Sequence, residues 1–182
     1  MADSSSQSLG VISSFFHKTA DVFESSILKV SAVCCWSSAL LIAVIICNVI
    51  LRYGFQNGLI IFEEIQWHLY AIGIMFGLSY AEITNSQVRV DVVASMLKTR
   101  TVLKWEIFGA IIFVFPTIFV ILFNSVDYVA NSYMLGESSS SPLGMPFRWV
   151  IKSAIPASFI LLGMAVLARM FRNIITLTQK ET

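Results

Sequence analysis

The chain has 182 residues, 57% hydrophobic and 13% charged, with a net charge of +1 and a mean hydropathy of +0.79. Soluble domains carry about 25% charged residues, so this composition excludes an ordinary soluble fold and indicates an integral membrane protein, whose spans below predict an all-α fold. A charge this close to zero sets up no field that would draw nucleic acid.

The first eight residues are Ser-rich and are expected to be disordered. Over 9–29, Ile12, Phe16, Ala20, Phe23 and Ile27 recur at helical spacing, which predicts an amphipathic helix on the cytoplasmic membrane surface. It does not read as a cleavable signal, because Asp3, Asp21 and Glu24 precede an apolar run too long for an h-region.

A membrane domain over 30–172 follows. A span needs about 20 mostly apolar residues. Lys29 and Arg52 enclose 22 uncharged residues, Glu64 and Glu82 enclose 17, and Glu106 and Asp127 enclose 20 with Pro116 in the middle. Arg148 and Arg169 enclose 20, broken only by Lys152, which can snorkel. Four transmembrane helices are predicted, at about 30–52, 63–83, 105–128 and 149–170, with a cytoplasmic tail at 173–182. The small residues Gly73, Gly77 and Ala81 form a stripe on the second span that suits close packing, on an internal neighbour or on another subunit. Between the second and third spans, Val92, Val93, Met96 and Leu97 share one face behind Asp91, a residue type that caps helix starts. This segment reads as a short interfacial helix or as a solvated loop. The loop before the last span is rich in Ser, Gly and Pro, with Pro146 suited to that helix's first turn and Pro156 further in.

Basic residues orient the bundle. Nine of the twelve (Lys18, Lys29, Arg89, Lys98, Arg100, Lys104, Arg169, Arg172 and Lys180) fall on the side of the two termini and the middle loop. The positive-inside rule then predicts cytoplasmic termini, with Arg52, Arg148 and Lys152 outside. Tyr53, Trp67, Tyr128, Tyr133 and Trp149 sit where an outer aromatic belt belongs, and Trp36, Trp105 and Phe171 where an inner one does.

Catalysis finds few parts here. His17 and His68 lie on opposite sides, the spans supply no metal-ligand cluster, and no cofactor site is expected. Cys34, Cys35 and Cys47 share one span without a C-x-x-C spacing and read as packing residues. Transport by this chain alone finds few parts either, since the central thirds of the spans are uncharged and no repeat is present. Glu63 and Glu64 therefore carry three readings. They anchor the start of a helix, whose N-terminal dipole and unpaired N–H groups favour acids; they couple an ion; or they dock a partner. Arg52, one short loop away, is a plausible partner for one of them.

Four stretches resemble the small, Q-type membrane subunit of tripartite ATP-independent periplasmic (TRAP) transporters. They are NVILRY at 48–53, with Asn48, Arg52 and Tyr53; FEEIQWHLYAIGIMFGLSYAEI at 62–83; QVRVDVV at 87–93, with Arg89 and Asp91; and SSPLGMPFRWVIKSAIP at 140–156, with Pro146, Arg148, Trp149 and Pro156. Gln87 stands where that family usually has His. The resemblance covers roughly 30–172. It implies an accessory subunit in the bacterial inner membrane, partnered by a large M-type membrane subunit and a periplasmic substrate-binding protein. It further implies uptake of a carboxylate-containing solute, such as a dicarboxylate, on an ion gradient, typically sodium. Glu137 and Arg148 in the outer loops become candidates for contact with the binding protein. The rival reading is a stand-alone four-helix membrane protein, an assembly factor or small exporter.

Overall fold

The structure, a computed structural model, describes residues 2–87, 96–139 and 144–179. It comprises α1 (Ala2–Gly54), α2 (Ile60–Ile83), α3 (Thr99–Gly109), a π-helical turn (Ala110–Val114), α4 (Phe115–Met134) and α5 (Arg148–Gln179). No strand occurs among the described residues. Among the described residues, three stretches are long and apolar enough to cross a membrane: Ile27–Gly54, Thr99–Met134 and Arg148–Thr178. The 24-residue α2 is long enough at 1.5 Å per residue, but Glu63, Glu64, Gln66 and His68 fall within its first nine residues. Composition alone does not place it with the other three.

The first helix differs from the sequence expectation of a disordered 1–8 and a separate surface helix at 9–29. α1 is continuous from Ala2 to Gly54. No proline interrupts it, and a lone interior Gly10 costs only about 1 kcal/mol, so nothing local forces a break at residue 29. Residues 88–95, which hold Arg89, Asp91 and most of the predicted middle helix, lie outside the described residues. Beyond them the chain enters α3 directly, with Lys98 at its N-cap.

Proline explains the π turn. Pro116 has no N–H, and its ring would collide with the carbonyl four residues back in a regular helix. The chain widens by one residue just ahead of it, and the Phe115 N–H reaches the carbonyl of Ala110. The rod from Thr99 to Met134 stays helical throughout.

Helix ends are closed by left-handed residues. Asn85 (φ 54°) ends α2, and the Ser86 N–H returns to the Ala81 carbonyl at 3.0 Å. Gly136 (φ 56°) ends α4 in the same way, and the Glu137 N–H returns to the Ser132 carbonyl at 3.1 Å. Both are Schellman-type endings, which need a residue tolerant of positive φ. α5 starts at Arg148 rather than at Pro146, because Phe147 between them is itself left-handed (φ 66°).

α5 is the hub, in contact with α1, α2, α3 and α4, while α1 packs mainly along α2. Among the described residues the largest fully buried side chains are small or aliphatic: Ile27, Ser31, Ser79, Ser132 and Ser158. Large apolar side chains point outward instead, among them Phe113, Phe119 and Phe123 at nearly 70% exposure. That inverted pattern fits a bundle whose helices meet through small residues and whose bulky ones face an apolar surrounding.

Candidate functional site

Charged side chains gather at the two ends of the bundle. The loop end carries the 55–59 turn and the 135–147 connection. The tail end carries the start of α3 and the finish of α5.

At the loop end the adjacent acids of α2 part company. Glu63 meets Arg52 Nη1 at 3.1 Å, with both side chains about half exposed. Glu64, a quarter-turn round, faces the 135–147 connection. Its carboxylate accepts from the Ser139 hydroxyl and, at 2.5 Å, from the Met145 backbone N–H. Ser139 and Met145 are also joined by a backbone bond of 3.2 Å. Gly144 leaves the room for this arrangement, since a Cβ there would overlap Ser139 and lie 2.7 Å from Glu64 Oε1. One turn on, His68 Nδ1 donates to the Glu64 carbonyl.

Glu137 organises the other half of the connection. The Gly136 ending turns the chain back, so the Glu137 carboxylate receives the Ser132 hydroxyl at 2.7 Å and the Lys152 ammonium. Arg148 Nη1 lies 3.6 Å away, and the Arg148 N–H donates to the Glu137 carbonyl at 3.2 Å. Lys152 also sits 4.0 Å from the centre of the Tyr128 ring, a cation–π contact. The Lys152 bond, then the Ser132 hydroxyl, holds the Glu137 carboxyl below the ordinary carboxylate range. Trp149 meets Tyr133 edge-on at 5.4 Å. A cavity of about 300 Å³ opens among Ile60, Glu63, Glu64, Trp67, Ser139 and Arg148.

The remaining sequence candidates divide. Tyr53 is exposed, and Asn48 is buried with its Oδ1 unpartnered. Gly73 lies against α1, where an added Cβ would come within 3.0 Å of Ser37 Oγ and 3.3 Å of Ser38 Oγ. Gly77 has open space around it. Pro156 sits inside α5, which continues through it.

The tail end holds a cluster that reading the sequence did not single out. Arg169 of α5 bridges Glu82 of α2 at 3.0 Å and Glu106 of α3 at 3.3 Å. Asn173 adds a bond to Glu106 at 2.9 Å. These groups are largely withdrawn from solvent, Glu82 being only 11% exposed. A cavity of about 450 Å³ adjoins them, lined also by Leu78, Trp105, Val114 and Met170. In the sequence, Glu82, Glu106 and Arg169 serve as the charges that bound the spans. Their common depth is the signal that could have paired them.

Chemically, both ends are built from carboxylates held by cations, hydroxyls and N–H groups, an arrangement that ties helices together. No group of three or more metal-ligating side chains is found among the described residues.

A family model described as tripartite ATP-independent periplasmic transporters, DctQ component, matches residues 41–176. The match runs from within α1 to near the end of α5 and takes in both clusters. No curated protein matches the chain.

Proposed function

The chain belongs to the DctQ component family of tripartite ATP-independent periplasmic transporters, and from that premise we propose that it is a scaffold rather than a translocation path. A DctQ component is the small membrane subunit of such a transporter. The observation that supports the scaffold reading is where the charge sits. The described ion pairs lie at the two ends of the bundle, each joining separate elements: Arg52 with Glu63, Glu137 with Lys152 and Arg148, Arg169 with Glu82 and Glu106. Between the ends the helices present apolar surface, including Ile111, Phe113, Phe119 and Phe123. A protein that moves a polar solute keeps polar groups near mid-depth. A protein that braces another needs stiff ends and an apolar flank.

In this reading four spans cross the inner membrane, namely α1, α2, the α3–α4 rod and α5, with α2 packed against α1 and α5 and both termini in the cytoplasm. The flank of α3 and α4 faces lipid or the large membrane subunit. The loop end faces the periplasm, where Glu63, Glu64, Glu137 and Arg148 help seat the binding protein. The complex imports a carboxylate-containing solute on an ion gradient, with sodium as the coupling ion.

Affinity purification from the native membrane in mild detergent, followed by mass spectrometry, tests the partnership. A stoichiometric polytopic partner is the expected result. A stable chain with no partner would overturn the scaffold reading and favour a stand-alone membrane protein. Charge reversal of Glu63 and Glu64 together should then weaken assembly or docking in the reconstituted complex. Intact assembly and docking with ion coupling abolished would replace the anchoring role with a coupling one.

A further inference from the structure

α3 is attached differently from the other helices. Neither it nor the π turn contains a buried residue, and Trp105, Phe108, Ile111 and Ile112 are all exposed. In an apolar surrounding, burial of such side chains gives little drive for one helix to stay on another, and polar contacts weigh more. The described polar contacts of α3 with α5 are Glu106 to Arg169 at 3.3 Å, Glu106 to Asn173 at 2.9 Å, and Arg100 Nη2 to the Leu177 carbonyl at 3.3 Å.

At its far end α3 runs into a joint. Gly109, whose Cβ position is open, leads into the π turn, and Pro116 follows. A π turn beside a proline has a lengthened hydrogen-bond ladder, which is where helices bend. On its other side α3 borders the 450 Å³ cavity it shares with α2 and α5, so there is space into which it can move. Arg169 also bonds Glu82 at 3.0 Å. If Glu106 lets go, the guanidinium keeps a carboxylate, so the cost of stranding the withdrawn Arg169 charge is avoided.

We infer that α3 is an arm that pivots on the π turn and Pro116 and is latched to α5 by Glu106 through Arg169 and Asn173. The structure holds it latched. Released, it changes the width of the cleft against α2 and moves the chain leading into Thr99 relative to the bundle.

The test uses the full-length chain in lipid nanodiscs, with Cys34, Cys35 and Cys47 replaced by Ser and spin labels at Lys104 on α3 and Val33 on α1, both exposed. Electron–electron distance measurement should show one dominant population. Glu106→Gln should move most of it to a different distance, and adding Pro116→Ala should return a narrow distribution by stiffening the joint. Glu82→Gln should not release the arm, since it leaves Arg169 wholly to Glu106. An unchanged distribution in Glu106→Gln, or the same release in Glu82→Gln, overturns the latch. A Glu106→Gln, Pro116→Ala chain as broad as Glu106→Gln alone overturns the joint. Hydrogen exchange on the unmodified chain gives a readout independent of any variant's folding. Amides of 103–109 should exchange at least about tenfold faster than those of 118–128, and equal protection overturns the proposal.

Discussion

Two neighbouring glutamates on one helix do different work, and the difference is a matter of direction. Glu63 and Glu64 are about 100° apart around α2, so only one of them faces the 135–147 connection. The Arg52–Glu63 pair is open to water, and pairs of that kind contribute at most about 1 kcal/mol. Glu63→Gln should therefore leave the melting temperature nearly unchanged. Glu64→Gln removes the acceptor for Ser139 and the Met145 N–H, and should speed proteolysis within 135–147 at unchanged helix content. Equal effects from the two variants would refute this division. Glu137 adds a pH dependence. Its folded pKa is depressed, chiefly by the hydrogen bond from Lys152, so its contribution is present above the ordinary carboxylate pKa and is lost as pH falls through the lower folded value. The Tyr133–Trp149 contact beside it supplies a fluorescence probe. Trp149 emission should hold steady through mildly acidic pH and change only below the ordinary carboxylate range. Glu137→Gln should abolish that step.

At the scale of the element, the small-residue stripe on α2 is not one surface. Gly73 lies close against α1, beside Ser37 and Ser38, whereas a side chain at Gly77 would meet open space. Gly73→Leu should force the pair apart at a cost of about 1–3 kcal/mol, as overpacking does. Gly77→Leu should be tolerated in the isolated chain, as a thermal unfolding series in detergent would show. If Gly77→Leu instead disrupts co-purification with the large subunit, that open space is an intersubunit seat. The two prolines also part ways. Pro116 is absorbed by a π turn, whereas α5 runs through Pro156 as an α-helix. Near Pro156, the Ser158 hydroxyl folds back to the Ile155 carbonyl at 2.9 Å, a local bond of the kind that often bends helices.

Over the whole molecule, α5 does the joining. It contacts each of the other helices, and Arg169 ties it to α2 and α3 at once. A planar guanidinium serves two carboxylates in a way an ammonium does not. Arg169→Met should leave both acids without their shared cation and cost about 3 kcal/mol or more, measured by reversible unfolding in mixed micelles. Arg169→Lys should recover part of that loss by keeping the charge without the fork. A loss below about 0.5 kcal/mol in Arg169→Met would show that the tail-end cluster does not hold the bundle together.

Composition and hydropathy were enough to establish an all-helical chain with long apolar segments, because both follow from the cost of exposing backbone polar groups in hydrocarbon. The ordered motifs from Asn48 to Pro156 were enough to place it in its family, since they survive as a linear pattern. The Arg52–Glu63 pair was legible too, being separated by one short loop. The rest depended on which faces meet. Glu64 with Ser139, Glu137 with Lys152, and Arg169 with Glu82 and Glu106 are joined across 75, 15, 87 and 63 positions. A charge at the edge of a span looks the same in sequence whether it faces water or another helix. Its partner is chosen by helix rotation and depth, and those are set only when the helices pack.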